Sequence, residues 1–258
     1  MKVITIANQK GGTGKTTTAL CLGAQLERIG YKVLYVDLDK QCDSTRTLNA
    51  SMDAKGSYDM LADKTPANEV IQITDGGRHV IASNDKIATI DALLNDPKNQ
   101  LGKEYRLKES LESVKDLYDY VVIDTATDLN NATINALTTA DYLVISSTAD
   151  DYSKEGLLTL LNITDIIRQY TNKNLKTAGV LLIRYNDRSN INKAYKEEIS
   201  RIAGEHNTKV FNTYIRENTA IRESQALKQP ITEYAPKSNG NIDYMTFANE
   251  LLDGIEGE

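Results

Sequence analysis

The chain has 258 residues, enough for one large α/β domain, and no Pro- or Ser-rich stretch divides it. A net charge of −6, with 30 Lys and Arg against 36 Asp and Glu, argues against a protein that binds nucleic acid by bulk positive charge. Cys21 and Cys42 offer neither a disulfide framework nor a metal-binding spacing, no charged-then-apolar leader precedes the first strand, and the apolar runs are too short to span a bilayer, so a single cytoplasmic domain over residues 1–258 is expected.

The first element is the β-branched run KVITIA, a buried strand expected over residues 2–8. It leads into KGGTGKTT, Lys10 to Thr17. The common phosphate-loop spacing G-x-x-x-x-G-K-[ST] needs a glycine where Gln9 stands, so this loop deviates from the pattern. Its chemistry survives, because Gly11, Gly12 and Gly14 let backbone N–H groups turn inward around phosphate oxygens, with Thr13 between them. Lys15 then reaches the terminal phosphates and Thr16 supplies the hydroxyl that such loops place on magnesium. Ala19, Leu22, Leu26 and Ile29 recur at helical spacing, giving one core face, Cys21 reads as a core residue, and Gly30 closes the helix.

Further strands are expected near 32–37, 79–83, 120–124, 142–147, 178–184 and 209–213, with helices in most gaps. This alternation predicts right-handed βαβ crossovers and a doubly wound, mostly parallel sheet flanked by helices, with ligands at the carboxyl ends of the strands. Asp37 and Asp39 end the second strand, and their carboxylates share one side if the strand runs that far. Asp43 or Ser44 is expected to cap the helix that follows. The stretch from Ser44 to Asn99 is less regular, and TDGGRHVIASN reads as a turn into a short strand. YVVID places Asp124 at the end of a buried strand. Residues 168–228 carry twelve Lys/Arg and six Asp/Glu, a surplus of +6 that leaves −12 on the rest. Such a segment is either a solvated helical face or an anion-binding surface, and charge alone does not choose.

KGGTGKTT resembles the signature loop of the ParA/MinD group of ATPases, which carries the P-loop NTPase fold. The resemblance extends through VDLDKQ, VVIDTATD, NDRSN and QPITEYAPKSNG, nearly the full length of the chain. It implies ATP and Mg2+ as cofactors and a homodimer that sandwiches ATP, with Lys10 crossing to the partner's nucleotide. A lone lysine before a turn is otherwise a solvated charge. It further implies that Asp37 helps hold the magnesium shell, that Asp124 meets magnesium through water, and that Asp39 orients the attacking water. Asn186, Arg216, Glu217 and Asn218 match the adenine pocket, and Arg188 matches a position used by chromosome-partitioning members to bind DNA without sequence preference; a second such position aligns with Ala220, with the candidate Arg222 two residues later on a different helix face. The implied function is plasmid or chromosome segregation with a ParB-like centromere-binding protein, on the nucleoid and without a membrane. Departures fall at Lys40 and Cys42, where the family has proline and glycine, and at Ala126, Thr127, Asp128 and Asn130, where it has a proline-containing switch.

The residues also weigh against three other readings. A membrane-positioning ATPase like MinD needs a basic amphipathic tail, yet LLDGIEGE is acidic and Tyr244, Ala248, Leu251 and Ile255 form an ordinary core stripe. An iron-protein type of reductase needs cluster cysteines at positions that Cys21 and Cys42 do not match, and a tyrosine kinase of this loop type needs a tyrosine cluster at its tail.

Overall fold

Successive side chains of a strand face opposite sides of its sheet, and here both sides are apolar, so both must be covered. The computed structural model, which describes residues 1–257, meets this demand with one eight-stranded sheet between two layers of helices. In chain order the strands are β1 (Lys2–Ala7), β2 (Val33–Asp37), β3 (Ile71–Ile73), β4 (His79–Ile81), β5 (Tyr120–Asp124), β6 (Tyr142–Ser147), β7 (Lys176–Ile183) and β8 (Val210–Ile215). The helices are α1 (Lys15–Ile29), α2 (Asp43–Thr47), α3 (Ser57–Asp63), α4 (Ile90–Leu94), α5 (Arg106–Leu111), α6 (Asn131–Thr139), α7 (Asp151–Tyr170), α8 (Asn190–Glu205), α9 (Thr219–Ala226), α10 (Ile231–Tyr234) and α11 (Asn239–Glu256).

The spatial order is β3-β4-β2-β5-β1-β6-β7-β8, parallel except for β3. Ile4 and Ile6 of β1, Tyr35 of β2, Val122 of β5 and Leu181 of β7 face a layer built from α1, α9, α10 and α11. Val3, Leu34, Val36, Val121 and Ile123 face α3 to α6, and Leu143, Ile145 and Leu182 continue that layer against α7 and α8. The last helix packs on the first: the Thr18 and Tyr244 hydroxyls are 3.1 Å apart, and Gln25 Nε2 donates to Asn241 Oδ1 at 2.7 Å. Tyr244, Phe247, Ala248, Leu251, Leu252 and Ile255 are all buried, so the α11 stripe is core, as its spacing predicts.

Gly23 sets how closely α1 approaches β2. A Cβ built on it would lie 2.2 Å from the buried Tyr35 ring. Gly23→Ala is therefore expected to destabilise the fold although alanine favours helix, because overpacking costs about 1–3 kcal/mol against a propensity gain of about 1. A melting temperature that rises in this variant would overturn the packing argument.

The sheet differs from expectation at its edge. β3 lies within the stretch read as irregular, pairing antiparallel with β4 through the turn at Gly77. Its three residues are half-buried or exposed, too short and too wet to print an alternating pattern. β7 and β8 run over residues 176–183 and 210–215, each displaced by up to two residues from the expected bounds. Ile29 is exposed rather than part of the α1 core face, since the helix has passed the sheet by its last turn. Neither Asp43 nor Ser44 caps α2: its cap is Cys42, in left-handed backbone at φ 54, where glycine is the easy residue. Among the described residues no helix is long and apolar enough to cross a membrane, and both cysteines are free and buried.

Candidate active site

The carboxyl ends of β1, β2 and β5 converge because these strands are neighbours in register. β1 pairs Ile6 with Asp124, and β2 pairs Asp37 with Asp124. Two carboxylates thus stand side by side on adjacent strands, next to the loop that leaves β1. In that loop Gly12 and Gly14 take φ of +74 and +72, and a Cβ on Gly14 would lie 2.6 Å from Ile183. Glycine is required there for both conformation and space. Thr13 Oγ1 donates to the Lys10 carbonyl at 3.1 Å and Lys15 Nζ reaches the same oxygen at 3.5 Å, so the loop is tied across its base. Lys15 is buried, which pulls its ammonium below the usual range against the opposing pull of Asp124, Asp39 and Asp128.

Asp37 is fully engaged. One oxygen accepts from the Thr45 N–H at 2.9 Å and the Thr45 hydroxyl at 2.7 Å, and the other accepts from the Asp39 N–H at 2.9 Å. The strand ends at Asp37 and the chain turns, so Asp39 does not share its side of the sheet. Asp39 accepts instead from the Gln41 N–H at 3.0 Å and is only half-buried, on the open rim. Asp124 differs from Asp37: Oδ2 accepts from Ser44 at 2.8 Å, while Oδ1 is buried without a well-formed hydrogen bond, the Thr16 hydroxyl being near enough only to favour the ionised carboxyl. Burial raises both carboxyls, Asp37 to about 6 and Asp124 to about 8, with Asp37 adding repulsion at Asp124.

A buried carboxylate oxygen beside the Thr16 hydroxyl and a phosphate loop fits magnesium, which takes few protein ligands and keeps waters. No set of three or more His, Cys, Asp or Glu side chains among the described residues is grouped to hold a metal unaided. The expected set of Thr16, Asp37 and Asp124 is therefore sparse, with Asp124 the carboxylate that keeps an oxygen in reserve and Asp37 occupied in anchoring the loop to Thr45.

Lys10 is held within its own chain. Its Nζ lies 2.6 and 2.7 Å from the two Asp150 oxygens, with Thr148 and Ser153 hydroxyls at 3.4 and 3.3 Å. Asp150 caps α7 through the Ser153 N–H. Burial opposes ionisation of Asp150, but hydrogen bonds from Lys10, Thr148 and Ser153 outweigh it and hold the carboxyl down to about 2. Two of the departures, one from each loop, also meet, as Lys40 Nζ lies 3.2 Å from Asp128 Oδ2. Asn130, another departure, caps α6.

A cleft of ≈250 Å³ runs from Gly12, Gly14 and Thr17 to Arg216, Glu217, Asn218 and Arg222. Arg216 is neutralised there by Asp243, at 2.6 Å, and Asn218 caps α9. Gln225 donates to the Thr17 hydroxyl at 3.1 Å, tying α9 to the loop helix. Asn186 does not line this cleft. It lines a neighbouring one of ≈550 Å³ together with Arg188, whose N–H donates to Asn186 Oδ1 at 3.0 Å. The two DNA candidates are therefore apart, Arg222 in the first cleft and Arg188 in the second. Sequence reasoning missed Ser44, Thr45, Asp150 and Gln225, each a partner brought in from a distant or unremarked position.

Comparison with known proteins gives the family and agrees with the fold. An AAA domain family profile matches residues 1–177. The sporulation initiation inhibitor protein Soj of Bacillus subtilis is 37% identical over 253 residues, covering 97% of this chain and 98% of Soj. The chain belongs to the ParA/Soj family of P-loop ATPases. The chromosome partitioning protein ParA of Myxococcus xanthus is 32% identical over 254 residues, covering 97% of this chain and 88% of that ParA. Among solved structures, cobyrinic acid a,c-diamide synthase of Mycobacterium smegmatis with bound ADP and magnesium superposes with a TM-score of 0.85 at 28% identity, covering 100% of this chain and 97% of the synthase.

Proposed function

We propose that this protein is a Mg2+-dependent, ATP-dimerising partition ATPase that binds DNA without sequence preference and resets by hydrolysis. The observation that carries the reading is the cluster of Lys15, Thr16 and the half-orphaned Asp124 at the mouth of a left-handed glycine loop. Support also comes from relatives named as chromosome partitioning proteins. Thr16 and Asp124 would hold magnesium with water, and the ion would neutralise charge on the phosphates. Lys15, desolvated at the loop, stabilises the same charge, and Asp39 on the open rim orients water. Lys10 leaves Asp150 and serves the partner subunit of an ATP-sandwich homodimer. Gly11, Gly12, Thr13 and Gly14 cradle the phosphates, with Thr17 held by Gln225 behind them. The base lies toward Arg216, Glu217 and Asn218.

Arg188, exposed beside α8, is the candidate phosphate contact of the DNA surface, with Arg222 nearer the nucleotide. A centromere-binding protein is the expected partner that stimulates turnover. The apolar stripe of α11 is buried in the core, which supports a packing role for it. In a gel-shift series with ATP, duplex of any sequence should be retarded, more weakly as salt rises, and Arg188→Ala should lose the shift. Equal retardation with ATP, with ADP and without nucleotide would sink the proposal.

A further inference from the structure

β7 ends at Ile183, and the next residue, Arg184, takes left-handed backbone at φ 51. A non-glycine residue in that region costs about 1–2 kcal/mol, so the surroundings must hold it there. The turn carries the side chain back over the phosphate loop, where Nη2 donates to the Gly12 carbonyl. That is the one hydrogen bond of the Arg184 side chain among the described residues, and no carboxylate pairs with it. Arg216, in the same cleft, is neutralised by Asp243. Of the three guanidiniums lining the cleft, Arg216 has its counter-ion while Arg184 and Arg222 have none among the described residues, and of these two it is Arg184 that is tied to the loop built to bind an anion.

The cleft has a loop end at Gly12, Gly14 and Thr17 and a base end at Arg216, Glu217 and Asn218. Arg184 is fixed to Gly12 at the loop end, and it shares both this cleft and the neighbouring one with Arg216 and Glu217 of the base end. The part of a nucleoside diphosphate or triphosphate that lies between base and β-phosphate is the ribose and the α-phosphate. We propose that Arg184 is a nucleotide-contacting residue, whose free N–H groups donate to the α-phosphate and ribose hydroxyls of the nucleotide bound in its own subunit. The inference rests on the nucleotide-binding reading above. A planar guanidinium suits the role, because one nitrogen can stay on the loop carbonyl while the others reach a phosphate.

The test is calorimetric titration of the full chain with Mg-ADP and with Mg-ATP, at protein concentrations that keep ADP-bound chains monomeric. Arg184→Ala should weaken ADP and ATP by the same factor, about ten-fold, because the contact is to the part they share. Arg184→Gln keeps a donor for the Gly12 carbonyl but no charge, and should lose as much as Arg184→Ala. The melting temperature without nucleotide should not change in either variant, since Arg184 is exposed. Wild-type ADP affinity in Arg184→Ala overturns the inference alone, and so does wild-type affinity in Arg184→Gln, which would mean that the side chain only props the loop. A wild-type chain that binds neither nucleotide overturns the underlying reading as well.

Discussion

Lys10→Gln is expected to lower ATP turnover by about 10²–10³-fold, the scale on which removing a cation or donor from a phosphoryl-transfer or oxyanion site acts. ATP-dependent dimers should disappear from sedimentation profiles, while ADP affinity stays near that of wild type. The reasoning starts from what the ammonium does before any partner arrives. Asp150, Thr148 and Ser153 give it a complete set of acceptors at 2.6–3.4 Å, so it is parked away from the Lys15 side of the loop. With roughly a third of each side chain exposed, this ion pair is worth little net free energy, and a phosphate of a second subunit can compete for the lysine. Glutamine keeps the size and loses the charge, so the variant isolates the electrostatic role. A Lys10→Gln protein that dimerises and hydrolyses ATP at the wild-type rate would refute the trans contact.

Asp124→Asn is expected to do two opposite things: abolish Mg2+-dependent turnover, by more than about a hundred-fold, and stabilise the metal-free protein at pH 8. The sign follows from linkage. The folded-state carboxyls are raised by burial, Asp124 to about 8 and Asp37 to about 6, from an ordinary value of 3.8. The stabilisation that comes from keeping these protons is complete below pH 4 and is lost as pH rises through 6 and then 8. Wild-type protein in chelator should therefore melt several degrees lower at pH 8 than at pH 5, and Asp124→Asn should flatten most of that slope. Mg2+ with nucleotide should restore the wild type at pH 8 and leave the variant unmoved. Thermal melts at the two pH values, with and without Mg-ATP, check all of this. A wild type insensitive to pH in chelator would remove the argument from buried repulsion.

The centre of the fold was legible because its signals are local. KVITIA, the glycine loop and Gly30 specify strand, turn and helix end within thirty residues, and YVVID marks a strand buried on both faces. Legibility fades where a residue's environment is set by a distant segment. Lys10 and Asp150 are 140 residues apart, and nothing near either one announces the pair. Asp39 was placed by strand periodicity, yet the Asp37 carboxylate accepts its N–H and turns the chain off the sheet. Cys42 caps α2 in a backbone conformation that composition assigns to glycine, so the Asp43 and Ser44 signals pointed to the wrong residue. Ser44 bonds Asp124 instead, a contact visible only once β2 and β5 are neighbours. Arg184 is a similar case: its sequence setting is a strand end, and its neighbour Gly12 lies 172 positions away.

The seating of α11 on α1 has a bearing on biosynthesis. The apolar flank of α1 is covered by a helix that begins at Asn239, through Thr18–Tyr244 and Gln25–Asn241. In a growing chain the nucleotide-cradling helix therefore stays uncovered on that flank until a segment 226 residues downstream of Thr18 has been made. Until then the apolar flank of α1 has no partner in its own chain, so an N-terminal fragment that lacks α11 should not hold the finished pocket.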